Sequence, residues 1–415
     1  MNENREAHVQ VTTLALPDAG ARSSKVFAPL AMLFVAMLLM QGLWLASAQG
    51  VAGVDAIATI TFGAETVIDG QGASADGAHV TIDQAGTYVL VGSSSDGSVT
   101  VDAADADVRL VLAGVELTNP TGPALFFKAA GSAAVTLQDG TSNTITDGGE
   151  SEFDAALYSD ASLTIDGDGS LDVHAVYEGI SSTMHIDILG GSIRIFATED
   201  GINANNDGVS HIDISGGYVY IETGIGDGID SNGTITISGG TVIAQSALVG
   251  GNSGLDADGA ITIDGGLVIA SGGSMMGSVS ADSSQSSLLI EFGPALLPDT
   301  LVTVRDPSGV DVVTFAPSQP FVEILVSTPA LQDDVEYTVY TGGVGSGEAV
   351  DGLYADGASE PGTVFGTVTT ASAVGGGRFG PSAPGGQGGP GFGPGGGRGG
   401  PRAPCLRPGS GPSQA

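Results

Sequence analysis

The chain has 415 residues, enough for one large or two ordinary domains with a substantial core. Glycine supplies 68 of them and lysine occurs only at Lys25 and Lys128. Residues 49–375 hold 44 of the 47 acidic residues against four cations, Arg109, Lys128, Arg194 and Arg305, which excludes a basic surface for nucleic acid or anionic lipid and favours cations as partners.

At the N-terminus, Arg22 and Lys25 precede the apolar run "VFAPLAMLFVAMLLMQGLWLASAQG", which ends in Ala46-Ser47-Ala48. A charged flank, an apolar middle and a small-x-small site describe a signal peptide over 1–48, so a secreted, extracellular or cell-surface protein is expected. Left uncleaved, the run would be a membrane anchor, the one route to a membrane. Cys405 is the only cysteine, so no intrachain disulfide braces the exported fold.

Residues 49–107 contain strand-like pieces ("HVTIDQAGTYVLVGSSSDGSVTVDA") and are expected to form an N-terminal β cap. Over 108–276 the sequence repeats. One apolar column runs Ile165, Ile188, Ile214, Ile237, Ile263, at steps of 23, 26, 23 and 26 residues. A second runs Leu171, Ile193, Val219, Val242, Val268, and a third Ile180, Ile202, Ile229, Leu255. Each repeat holds three short runs of alternating apolar residues separated by Gly and Asp/Asn corners. Alternation puts one side chain in and the next out, and the period fits a three-sided parallel β-helix whose coils bury their apolar stacks only against one another. Residues 277–374 ("LLIEFG", "TLVTVRDPSG", "FVEILVS", "EYTVYTGG") predict an antiparallel β region covering the open end. Residues 375–415 are Gly/Pro/Arg-rich and predict a disordered tail.

The corners before the third strand of each repeat are acidic. They read "YEGI", "EDGI", "GDGI" and "NSGL", stacking Glu178, Asp200, Asp227 and Ser253, with Glu199 alongside and Asp154 one coil earlier. Asn203, Asp230 and Asp256 follow just after. Coils of a parallel β-helix lie about 4.8 Å apart. Carboxylates at that spacing repel unless a cation sits between them, and Ca²⁺, with oxygen ligands at about 2.3–2.6 Å, spans that gap. Calcium on Glu178, Glu199, Asp200, Asn203, Asp227, Asp230 and Asp256 is therefore expected. The alternatives are plain Asp-Gly and Asn-Gly turns pointing to water, and acidity as an adaptation to a salty habitat. His185 and His211 occupy matching positions with Asp187 and Asp213 two residues on, either a solvated ladder or a transition-metal site. On the middle strand, Tyr218 and Tyr220 near Arg194 suit a sugar, although cross-strand packing explains them equally well.

The lines "GTYVLVGSSSDGSVTVDAADADVRLVLAGVELTNPTGPALFFK", "VTLQDGTSNTITDG" and "DAALYSDASLTIDGDGSLDV", continued by the "DGI…ITISGG" coils, resemble a bacterial family of secreted carbohydrate-binding proteins over residues 80–370. The resemblance implies a right-handed parallel β-helix similar to calcium-dependent pectate lyases. It further implies calcium between coils, on the acids of the "EDGI" and "GDGI" corners with Asn203 and Asp230, and binding of polygalacturonate-like or cellulose-like polysaccharide. The "NSGL" corner departs from that pattern. The expectation is a monomeric, non-catalytic, calcium-dependent polysaccharide-binding protein that binds no nucleic acid. Two alternatives are a calcium-braced adhesion scaffold for protein partners and a polysaccharide lyase, for which Arg194 is the one credible base.

Overall fold

The computed structural model describes residues 54–149, 153–273 and 278–370, together with the strand Gly377–Arg378. The expected signal peptide and nearly all of the expected tail lie outside these residues.

Every named element is a β-strand, and most wind into a parallel β-helix with three faces. One coil runs from Leu163–Gly167 on the first face through Ser170–Ala175 on the second to Glu178–Ser182 on the third. The next runs Ile186–Ile188, Ser192–Ala197, Ile202–Ala204, and the pattern continues to Leu267–Gly272. The three apolar columns expected from the repeats are the three inner stacks. Ile165, Ile188, Ile214, Ile237 and Ile263 pair in register on the first face. Leu171, Ile193, Val219, Val242 and Val268 do so on the second, and Ile180, Ile202, Ile229 and Leu255 on the third. All are fully buried. Burying a side chain of this size is worth about 1.5–3 kcal/mol, and the core consists of little else.

Parallel register also reaches into the segment expected to cap the coil. His79–Ile82 pairs with Ser98–Asp102 on the third face, and Gly86–Ser94 pairs with Asp107–Asn119. These last two strands are long enough to bend from the first face onto the second, with Gly92 and Gly114 at positive φ where the register shifts. Antiparallel pairing at this end is confined to Ala58–Phe62 with Val67–Gly70 and Ala73–Asp76 with His79–Ile82. The element "DGTSNTITDG" ties three coils together through one buried amide. Asn143 Oδ1 accepts from the N–H groups of Gly114 (2.9 Å) and Val115 (3.0 Å), while its Nδ2 donates to Ser170 O at 2.9 Å.

The "GG" turns between the first and second faces form a column of their own. Gly217, Gly240 and Gly266 have φ near +80°, a region that L side chains avoid. A Cβ on Gly240 would lie 2.6 Å from Gly217 O, and one on Gly266 would lie 2.6 Å from Gly240 O. Register stacking thus makes glycine obligatory for two reasons at once.

The C-terminal region does more than close the open end. Phe321–Ser327 pairs antiparallel with both Leu267–Gly272 and Ser287–Leu296, continuing the second face. Leu325 turns into the helical core, while Ile324 and Val326 face the other way. A four-stranded antiparallel sheet (Val302–Arg305, Asp311–Phe315, Glu336–Thr341, Thr363–Thr369) shares a second core with that outer side. This core reaches back over Ile269, Ile243 and Tyr220, outward residues of the last three coils. Accordingly those strands read "YVYI", "TVIA" and "LVIA", without the polar alternation of "SLDV" and "SIRI" upstream.

Gly240→Ala is expected to destabilise the protein by about 1–3 kcal/mol, a lower urea midpoint at unchanged slope. Gly208→Ala, at positive φ but with nothing within 4 Å of the added carbon, should cost less. Equal losses would mean that φ alone, not coil stacking, selects glycine.

Candidate functional site: the acidic edge of the third face

The third face carries an outward column whose character changes along the axis. In register it runs Phe126, Tyr158, Ser181, Asn203, Asp230, Asp256. Phe126, Phe153 and Tyr158 form an aromatic cluster with centroids 4.4–5.7 Å apart. Below it the column becomes polar and then acidic.

Beside it, at the corner from the second face, stand Glu178, Asp200, Asp227 and Ser253. The ladder continues through this corner, with Gly179 N–H donating to Asp200 O (2.9 Å), Gly201 N–H to Asp227 O (3.0 Å) and Gly228 N–H to Ser253 O (2.9 Å). The acids therefore stack as expected, and part of their capacity is structural. Asp200 Oδ1 accepts from Asp227 N–H at 2.7 Å, and Asp227 Oδ1 accepts from Ser253 N–H at 2.5 Å. Asp200 and Asp227 thus each cap the backbone of the next coil. Ser253 ends the series, its hydroxyl donating to Leu255 O at 2.7 Å.

What the caps leave over are oxygens that could seat a cation. Glu178 Oε1 accepts from Asn203 Nδ2 at 2.6 Å, but Glu178 Oε2 and Asn203 Oδ1 are buried with no hydrogen-bond partner. Ser181 Oγ stands beside the Glu178 carboxyl and lowers its pKa somewhat, yet completes no bond of good geometry. One coil earlier Asp147 accepts Val176 N–H on Oδ1 (2.7 Å), and its Oδ2 is likewise buried and unpartnered. Buried oxygens without partners are rare in folded proteins, because each forfeits its hydration. Carboxylate, amide and hydroxyl oxygens together are hard donors of the kind calcium takes, and they include no nitrogen or sulfur to favour zinc. Three carboxylates do not converge on one point here, so an ion would draw on Asn203, Ser181 and backbone oxygens as well as acids.

Electrostatics agree with this geometry. Burial, then the charges of Asp154 and Asp200, push the Glu178 carboxyl up to about 8. Burial and the neighbouring acids push Asp227 to about 7 and Asp230 to about 8. Asp147, Asp154 and Asp256 are raised as well, chiefly by burial. Glu199 stays half-buried beside the column, its N–H bound to Tyr177 O at 3.0 Å.

The other expected ligand-binding set is placed differently. Arg194 Nε and Nη2 each lie 3.0 Å from Asp351 Oδ2, and its guanidinium lies over the Tyr218 ring at 5.3 Å. Tyr218 Oη donates to the same Asp351 oxygen at 2.7 Å. Tyr220 is 4% exposed, donating to Glu222 at 2.9 Å and accepting from Gln245 Nε2 at 3.1 Å. Arg194 and Tyr218 therefore bind the C-terminal region, and Tyr220 lies in the core shared with it, so they do not present a sugar platform, because the second sheet covers the outer side of these coils. Burial works to lower the Arg194 pKa, but the bond and charge of Asp351 outweigh it and hold the guanidinium protonated. Among the residues whose side chains are described, Arg109 is also paired with Asp166, Lys128 with Asp102 and Arg305 with Asp311.

Sequence reasoning missed a row of exposed rings and apolar groups at the corner just before the acids. His174 and Phe196 stack in register at 5.3 Å and 10°, with Phe196 36% exposed. Tyr177, immediately before Glu178, is exposed to the same degree, and Val176 and Ile225 lie open nearby. The available signal was two aromatics, in a chain with few, at positions where the alternation calls for polar side chains.

With a chelator present, stability is expected to fall as pH rises from about 5 to about 8. A carboxyl whose folded pKa is raised contributes stability that is complete below the ordinary carboxylate range, near 4, and lost as pH passes its folded value. For Asp227 and Asp230 that window ends at about 7 and 8. Thermal midpoints measured across it should decline, and saturating calcium should flatten the decline. Flat midpoints in chelator would mean these carboxyls are solvated.

A family model described as "Carbohydrate-binding domain-containing protein" matches residues 76–312, more than half of the chain. A carbohydrate-binding domain-containing protein of Acetivibrio thermocellus is 32% identical over 163 residues, which are 36% of this chain and 56% of that protein. The chain thus spans little more than half of that relative's length. A solved structure of the polysaccharide lyase-like protein from C. thermocellum, a gadolinium derivative, is similar over 54% of this chain and 95% of that one, at 27% identity and a TM-score of 0.41.

Proposed function

The chain belongs to the carbohydrate-binding domain-containing protein family, and on that premise we propose that it is a secreted, non-catalytic protein whose acidic edge binds an acidic polysaccharide with the help of calcium. One observation carries this reading. Along a single edge of the coil, buried oxygens without partners (Glu178 Oε2, Asn203 Oδ1) adjoin exposed rings (Tyr177, and the stacked His174 and Phe196). Rings offer the flat apolar faces on which pyranose rings stack, and the oxygens offer a seat for a hard cation. Glu178, Asn203, Asp227, Asp230 and Asp256, with Asp200 and Glu199 beside them, would hold calcium. Bound there, the ion would supply the positive charge that a uronate carboxylate needs in order to approach so acidic a protein.

The chain's own residues do the rest. Asp200 and Asp227 lock successive coils in register through their caps, so the edge is a straight, rigid track and little ordering entropy is lost on binding an extended glycan. Elimination from a uronate would need a base beside the ion. Arg194, the candidate for that role, is held protonated against Asp351 under the C-terminal region, which favours binding over lyase chemistry. A calcium-braced scaffold for protein partners would use the same exposed strip and the same cation seat; the family match is what favours a polysaccharide over a protein partner.

The full chain is expected to be retained on insoluble polygalacturonate with calcium and released by excess chelator. Phe196→Ala should weaken retention severalfold, and Glu178→Gln should abolish the retention that calcium confers. Retention unaffected by chelator would sink the calcium bridge; no retention in either condition would favour the scaffold. Unsaturated uronate absorbance lost in Arg194→Ala would instead establish a lyase.

A further inference from the structure

The first face carries a cluster that the acidic edge does not explain. Asp187 and Asp213 pair in register on adjacent coils, and His211 lies two residues before Asp213, hence on the same side of its strand. His211 Nε2 lies 3.6 Å from Asp187 Oδ1 and 3.9 Å from Asp213 Oδ2. Among the described residues this is the one group of three His, Cys, Asp or Glu side chains whose ligand atoms all fall within 4.8 Å of one another.

We propose that Asp187, His211 and Asp213 form a three-ligand site for zinc on the outer surface of the first face, separate from the acidic edge of the third. Zinc bonds to imidazole nitrogen and carboxylate oxygen at about 2.0–2.2 Å, so the edges of its tetrahedron are about 3.3–3.6 Å. The observed separations reach that geometry by small side-chain rotations. The imidazole selects the metal, because calcium takes oxygen ligands only, whereas nitrogen with two oxygens suits zinc.

Two further observations support the assignment. The ring is already packed in place: His185, in the matching position one coil earlier, stacks on His211 at 3.9 Å and 17°, and the His185 ring is itself held by the backbone N–H of His211, which donates to His185 Nδ1 at 3.3 Å. The cluster is also discrete. The neighbouring register positions are Thr164 on one side and Thr234 and Thr236 on the other, none a zinc ligand, so the array holds one ion. Among the residues whose side chains are described, Arg109, Lys128, Arg194 and Arg305 are engaged by Asp166, Asp102, Asp351 and Asp311 and do not neutralise the paired aspartates. All three ligands are half-buried, which leaves the fourth position of the ion open to water or to an oxygen of a bound molecule.

The competing account is that protonated His211 bridges the two carboxylates with no metal. Calorimetric titration of zinc into the full chain at about pH 7.5, in saturating calcium, separates the two. One zinc per chain is expected, not displaced by calcium, and cobalt in its place should give visible absorption of tetrahedral intensity. His211→Ala and Asp213→Asn should each weaken zinc about tenfold or more, while His79→Ala, a histidine beside the single carboxylate Asp96, should not. The calcium dependence of glycan retention should survive His211→Ala, so failure here is distinguishable from failure of the acidic edge. No zinc uptake, or equal uptake by wild type and His211→Ala, would overturn the site.

Discussion

Everything in this molecule depends on one spacing. Each residue of a coil lies about 4.8 Å from its equivalent in the next, so every choice is stacked on a copy of itself. For isoleucine that self-encounter is favourable, and three columns of Ile, Leu and Val make a core without a disulfide or a helix. For a glycine at positive φ it is a strict demand, because a side chain would meet the carbonyl of the coil before. For a carboxylate it is unfavourable unless something comes between.

The acids of the third face are a partial answer to that repulsion. Asp200 and Asp227 each turn one oxygen onto the backbone N–H of the following coil, which stabilises the carboxylate and ties the coils together. This is the turn-forming role of Asp-Gly corners, and it is real. It does not account for Glu178 Oε2 or Asn203 Oδ1, which are buried and bond to nothing. The corner is thus both a structural clamp and the place where a cation would complete the polar accounting. His211 with Asp187 and Asp213 shows the same logic on another face, with nitrogen in place of an oxygen.

The C-terminal region changes what the second face can do. Upstream, strands such as Ser192–Ala197 alternate apolar and polar residues and keep their outer side in water. In the last three coils the outward Tyr220, Ile243 and Ile269 are apolar, and a second sheet packs on them. Arg194 and Tyr218 are claimed by this contact through Asp351, and Tyr220 by its place in the shared core and its hydroxyl beside Ser318 Oγ. The exposed rings that remain, His174, Phe196 and Tyr177, fall at the edge where that cover stops.

The solenoid, its three faces and its stacked columns were legible in the sequence because register stacking writes a period into the chain that composition cannot hide. Ile165 and Ile188 announce each other from 23 residues apart. The acidic corners were legible for the same reason. The sequence could not say which oxygens are spent on caps, since a hydrogen bond to the next coil leaves no mark on residue identity. Nor could it tell an outward tyrosine that meets a sugar from one that meets a second sheet, because both interrupt the alternation in the same way. The repeat therefore determined the fold and the stacking. Only the tertiary structure decided which stacked groups are covered, which are satisfied, and which face solvent with capacity to spare, because those outcomes depend on segments far away in the chain.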